Sequence, residues 1–396
     1  MKVFVINMHG EPLMPCSPRK ARILLKEKRA KVVQREPFTI QLLYGSSGYK
    51  QDITIGIDTG HDEVGVSVTT ETKELFSSVF KMRNDISKKM TTRRMYRRNK
   101  RSRLRYRKPR FDNRAASTRK GRLAPSVEWK VETHKRIISF YQNRLPKCKV
   151  ILETGIFDMQ KMQNPEIKNE MYQKGIQYGY ANTKAYVLTR DRHTCQAGKS
   201  GCTKRLEVHH IKFKSQGGSD NPKNLITLCS KHHKELHEGK LILNIKKHKS
   251  LRSATTMNII RKRLLGYYPN AIETFGYVTK QNRQNLGLEK SHSNDAFVIA
   301  GGNNQQRAET MDYKFKQANN RAIGIHRKGY APTARKVRYL IQSGDIIKYE
   351  GRTYTSKGNK NKGKSILLEI EGKKKTVNSK KVELIYNRKN IQCIYA

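Results

Sequence analysis

The chain has 396 residues, 83 Lys and Arg against 32 Asp and Glu, and a formal charge of +51. So much like charge repels itself in a compact fold unless a polyanion neutralises it, and the cations run through the whole sequence, so nucleic acid is the expected partner and a membrane is not. No apolar stretch approaches the ~18 residues that would span a bilayer, MKVFVINMHG lacks a secretory apolar core, and six cysteines are too few for a disulfide scaffold, which predicts a reducing cytoplasm.

With only 36% apolar residues, the chain cannot serve one core, and several small units are expected. Residues 1–50 form a basic opener in which helix-like ARILLKEKRAK precedes the alternating, strand-like VVQREPFTIQL. Residues 51–82 read as a hairpin and an edge strand, 83–128 as a basic helix and linker, and 129–160 as a helix followed by a strand. A cassette rich in Cys and His fills 181–245, and 246–303 reads helix, strand, helix. The tail carries short β-like runs, DIIKYEGRTYTS and KSILLEIEGKKKTVN, between Gly and Lys turns.

Between Arg93 and Arg110, eleven of eighteen residues are Lys or Arg and none is acidic. The cations are Arg93, Arg94, Arg97, Arg98, Lys100, Arg101, Arg103, Arg105, Arg107, Lys108 and Arg110. A helix charged all round cannot pack as an amphipathic element, so this segment is expected to order on phosphates. A disordered basic linker is the alternative, and it too would bind nucleic acid.

Three carboxylates lie on separate predicted elements. Asp58 ends the strand around Ile53, Ile55 and Ile57, Glu153 ends the strand Val150–Leu152, and Asp295 stands three residues after His292 at the start of a helix. Their convergence on two cations would provide in-line phosphodiester hydrolysis by a two-metal route. An ATPase-like acidic site is the alternative, but no phosphate-cradling Gly-rich loop follows the hairpin.

The cassette from Cys195 to His237 holds two metal-type groups. Cys229 and His232 have the close spacing that lets two ligands reach one zinc, and Cys195 with Cys202 closes the set across a Gly-containing loop. A structural zinc would tie together a small unit with little core of its own, unless these are ordinary buried thiols. The second group is His209, His210, Asn224, His233 and His237. EVHHI reads as a strand that points His209 and His210 to opposite faces, and KHHKELH as a helix start with His233 and His237 on one face.

This second group resembles the HNH (ββα-metal) endonuclease motif. The resemblance makes His210 the general base, has His209, His233 and His237 hold one divalent cation, and uses Asn224 to fix the loop that orients His210. The interrupted outer pieces resemble a split RuvC nuclease of RNase H-like fold. By that likeness Asp58, Glu153 and Asp295 are metal ligands, while His292 activates water or supplies a further ligand. In this order, with PLMP at Pro12 to Pro15, the parts resemble the IscB family, which is related to the effectors of type II CRISPR systems.

That resemblance implies an α/β multidomain protein. It divides the chain into 1–50 (PLMP domain), 51–85 (RuvC-I), 86–128 (Arg-rich bridge helix and linker), 129–180 (RuvC-II), 181–245 (HNH), 246–303 (RuvC-III) and 304–396 (a β-rich domain contacting the target-adjacent motif). It implies an RNA-guided DNA endonuclease of a bacterial or archaeal cell, monomeric in a ribonucleoprotein, with guide RNA (omega RNA) and double-stranded target DNA as partners. Mg²⁺ or Mn²⁺ would serve both nuclease sites and Zn²⁺ the Cys₃His group. The other functions weighed are a protein-only HNH endonuclease of homing or restriction type and a guide-loaded DNA-binding regulator.

Overall fold

The computed structural model describes residues 2–46, 48–102, 121–216, 218–243, 245, 251–316, 339–370, 372–388 and 390–394. It is a mixed α/β, multidomain fold with several sheets. The chain divides into two compact units, Met1–Gly155 with Ile259–Ala396, and the continuous insertion Ile156–Asn258.

The first unit opens with β1 (Val3–Ile6), β2 (Pro12–Cys16), α1 (Pro18–Lys26), β3 (Ala30–Arg35) and β4 (Phe38–Leu42). Ser17 caps α1 by accepting from the Lys20 N–H at 3.3 Å, with Pro18 at the first helical position. Ala21 and Leu24 then turn inward onto Val3, Val5, Leu13, Ile40 and Leu42, which leaves the cationic face of α1 outside.

Next come β5 (Ile53–Asp58), β6 (Glu63–Thr69), β7 (Glu74–Lys81), α2 (Ile86–Ser102), α3 (Pro125–Gln142) and β8 (Cys148–Thr154). In the insertion lie α4 (Met159–Gln163), α5 (Thr183–Arg190), β9 (Leu206–His210), β10 (Leu225–Cys229) and α6 (Ser230–His237). α7 (Arg252–Tyr267) begins within the insertion and ends beyond it, and β11 (Ile272–Phe275), α8 (Gly276–Asn285), α9 (His292–Ile299) and β12 (Thr310–Phe315) follow. The stretch 246–303 therefore holds one helix more than the pattern predicts.

A seven-stranded sheet runs in the order β11-β8-β5-β6-β7-β12-β19, where β19 is Ile391–Cys393. β5, β6 and β7 form an antiparallel meander, while β8 lies parallel to β5 and β11 parallel to β8. The reading of β7 as an edge strand is corrected here. β12 pairs with it in parallel, and β19 closes on β12. Both serines of ELFSSVFK are buried: Ser77 hydrogen-bonds Thr310 at 2.9 Å and Ser78 meets the Tyr141 hydroxyl at 2.5 Å. Phe80 and Tyr313 are register partners whose rings stack at 4.8 Å. Against this face α3 packs Val131, Ile137, Ile138, Phe140 and Tyr141, all buried.

The tail forms two small sheets. Strands β13 (Ile346–Tyr349), β14 (Arg352–Thr355) and β18 (Glu383–Tyr386) make one, and β15 (Gly358–Lys360), β16 (Ser365–Ile370) and β17 (Lys373–Asn378) the other. They share a core of Ile341, Ile347, Tyr349, Ile366, Leu368 and Val377. Buried Glu36 accepts from the Arg388 guanidinium and from the Cys393 N–H, which anchors the last described strand. No helix among the described residues is long and apolar enough to cross a membrane.

Candidate active sites

In the first unit, Asp58 ends β5 and Glu153 lies beside it on β8 as its register partner. α9 crosses this end of the sheet at backbone contact. A Cβ on Gly56 would lie 2.3 Å from the Ala300 N, and one on Gly65 would lie 2.0 Å from the His292 carbonyl oxygen. Only glycine permits that approach. It puts His292 and Asp295, on the first turn of α9 behind the Ser291 cap, over the strand ends. His292 Nδ1 donates to Asp58 Oδ2 at 2.5 Å, and its Nε2 faces Glu63 Oε2 at 3.8 Å. The Asp58 hydrogen bond holds the imidazole above its ordinary pKa. Asp295 pairs with Arg283 of α8.

Glu153 is pushed up to about 7, first by burial and then by Asp58 and Asp295, with Thr279 and Arg283 opposing. Its Oε2 is buried and has no hydrogen-bond partner. A buried carboxylate oxygen left without a donor, among two further carboxylates, is the donor set that hard divalent cations take. Asp58, Glu153 and Asp295 thus offer the oxygen donors that such a cation takes. Glu63, Thr279 and Arg283 are additional members that the sequence reading did not name.

In the second unit, β9 and β10 pair antiparallel, with His209 opposite Ile226 and His210 opposite Leu225. Cys229 ends β10 and caps α6, accepting from the His232 N–H at 3.5 Å. The nitrogen His232 Nδ1 lies 3.5, 3.7 and 3.2 Å from the sulfurs of Cys195, Cys202 and Cys229. A tetrahedral zinc with ordinary Zn–S and Zn–N lengths requires N···S edges of about 3.5 Å, so this cluster could hold a metal. Cys229 is drawn down to about 6, the backbone hydrogen bonds of His232 and Thr203 outweighing burial. Cys202 is pushed up to about 11 by burial and by Cys195 and Cys229.

His209, His233 and His237 bring their ring nitrogens together, with ligand atoms within 4.8 Å of one another. His233 Nδ1 donates to Glu207 Oε2 at 2.6 Å, and His233 Nε2 lies 3.3 Å from His237 Nε2. Two imidazoles on one cation at ~2.1 Å stand roughly 3.0–3.4 Å apart at their nitrogens, so this trio also fits. Burial and the neighbouring histidines lower His209 to about 4, which keeps it neutral and able to ligate.

His210 points the other way, its Nε2 2.8 Å from Asp220 Oδ1. Buried Asn224 spans the intervening loop: its Oδ1 accepts from the Lys212 N–H at 2.9 Å, and its Nδ2 donates to the Lys212 and Ser219 carbonyls at 3.1 and 2.8 Å. Glu207 and Asp220 were missed in the sequence. Glu207 was readable, because strand alternation puts it on the His209 face.

On α2, Arg93, Arg94, Arg97, Arg98 and Arg101 are exposed, and the helix has no acidic residue. Lys100 lies on the same helix. Arg103, Arg105, Arg107, Lys108 and Arg110 lie outside the described residues.

A ββα unit with histidines converging on its helix defines a nuclease domain, and the HNH endonuclease family model matches residues 194–239. The RRXRR protein family model matches residues 3–175. No curated protein matches the chain. An RRXRR segment followed by an HNH domain is consistent with the architecture of the IscB family that the sequence resembles, and the HNH match supports a nuclease.

Proposed function

We propose that the chain is an RNA-guided DNA endonuclease that binds a structured guide RNA and cuts both strands of a duplex. The observation that carries this is the presence of two separate constellations, Asp58–Glu153–Asp295 with His292 in one unit and His209–His233–His237 with His210 in the other. The strand order of the large sheet, with a three-stranded meander and two parallel additions beside Asp58, supports the RuvC reading of the first. Among the described residues no helix exceeds the eighteen residues of α3, so the wall around a guide–target duplex falls largely to the RNA. Base pairing then reads sequence, and the protein supplies backbone contacts and a motif reader in its C-terminal sheets.

At the inner site, Asp220 holds the proton of His210 on Nε2 and leaves Nδ1 to accept one from water. His209, His233 and His237 would hold the cation, whose chemistry there is to neutralise charge on the phosphate and leaving oxygen. Asn224 keeps the loop closed beneath His210. At the outer site, Asp58, Glu153 and Asp295 would hold Mg²⁺ or Mn²⁺, and His292, oriented by Asp58, faces the attacking water. The Cys195, Cys202, Cys229 and His232 group would hold structural zinc.

The test is strand-resolved cleavage by the full chain with its co-purified RNA. His210→Ala should leave only the displaced strand cut, and Asp58→Ala only the guide-paired strand. Loss of both cuts from either substitution would overturn the division of labour. Sequence-specific cutting by RNA-free protein would overturn guidance and favour a protein-only HNH endonuclease.

A further inference from the structure

Helix α8 turns one face onto the outer carboxylates. Its two buried side chains, Thr279 and Arg283, are four residues apart and share that face. Glu153 Oε2 is buried without a hydrogen-bond partner, and the Thr279 hydroxyl is close enough to Glu153 to counter its raised pKa. Arg283 Nη1 donates to Asp295 Oδ1, in a pair whose side chains are only 10% and 13% exposed. Asp58 is held instead by His292.

We propose that Arg283 is the resident counter-cation of the outer site: it holds Asp295 before metal arrives, competes with the cation for Asp295 Oδ1, and yields that oxygen on loading. This rests on reading Asp58, Glu153 and Asp295 as metal ligands. Three converging carboxylates without a cation repel one another, and burial keeps water from screening them. A guanidinium cannot shed its proton, so it discharges the cluster at any working pH. It also occupies one of the oxygens that a divalent ion needs. Arg283 is therefore a positioning residue that raises the metal concentration at which the site fills.

The experiment uses the full chain with its co-purified RNA, Arg283→Gln and Arg283→Lys. Mn²⁺ binding is followed by electron paramagnetic resonance, and both strand cuts are followed against Mn²⁺ concentration, with the guide-paired cut as internal reference. For Arg283→Gln the Mn²⁺ midpoint of the displaced-strand cut should fall about tenfold, the order expected on removing a buried charge-assisted pair. The tight-binding fraction should move with it. Arg283→Lys keeps the charge but loses the planar fork and should fall between; it carries the test alone if the glutamine variant does not fold. A midpoint unchanged or raised in the variant that folds would overturn the proposal. Asp58→Ala in the same assay separates the two failures. If it leaves the displaced-strand cut intact, the reading of the outer site is wrong. If it abolishes that cut while the Arg283 variants keep the parental midpoint, only the Arg283 proposal falls.

Discussion

Glu207 shows how much of the inner site depends on one residue beyond its ligands. It is two residues before His209 on β9, and its carboxylate takes the Nδ1 proton of His233 at 2.6 Å, which aims the Nε2 lone pair at the trio's centre. Carboxylates in this position set the tautomer of a ligating histidine and raise its basicity. Glu207→Gln should therefore weaken cation binding at the trio by ~10- to 100-fold. The measurement is the Mn²⁺ midpoint of the guide-paired cut, with the displaced-strand cut as reference. Equal midpoints in variant and parent would show that Glu207 does not act through His233.

At the scale of elements, helix and strand contacts decide which histidines are available for chemistry. His134 on α3 is buried, its Nδ1 2.8 Å from the Lys130 carbonyl, and burial, with the nearby Lys130 ammonium, lowers its pKa to about 4. An unfolded chain takes up this proton near 6.5 and the folded one near 4. The unfolded state thus binds more protons between those values, and stability falls as pH drops through that window, by about 3 kcal/mol at most. Unfolding of the unit that contains Trp129, the only tryptophan, can be followed by its fluorescence at pH 7.5 and 5. His134→Gln should flatten the difference. An equal pH dependence in variant and parent would mean that other groups carry it.

Element periodicity also marks what the sequence made legible. Asp58 on a central strand, the EVHHI strand and the KHHKELH helix follow from local pattern, and the structure has those elements. The interior position of β7 was not readable, since it depends on β12 arriving from more than two hundred residues away. Gly56 and Gly65 gave a signal, because glycine inside a strand marks close backbone approach, but not which helix approaches. Arg283 was hidden because α8 was merged with its neighbours, so the shared face of Thr279 and Arg283 could not be drawn.

At the scale of the whole molecule, the +51 charge makes binding free energy a question of counterions. The seventeen residues of α2 span roughly 25 Å with no acidic side chain to offset the arginines, and none of its residues whose burial is described is buried. A helix that contributes so little to a core is explained by what lies outside it. Each phosphate that it neutralises releases counterions and steepens the fall of log K with log salt by ~0.7–0.9. Replacing Arg93, Arg94, Arg97 and Arg98 by alanine should therefore flatten the slope by about 3. The parent should lose affinity on the order of 10³ or more between low and moderately high salt. Anisotropy of a labelled, structured RNA at a series of KCl concentrations measures both. A slope unchanged by the four substitutions would mean that the helix contacts no phosphate. The charge would then act through the rest of the surface, beginning with the outward face of α1, where Arg19, Lys20, Arg22 and Lys26 are exposed.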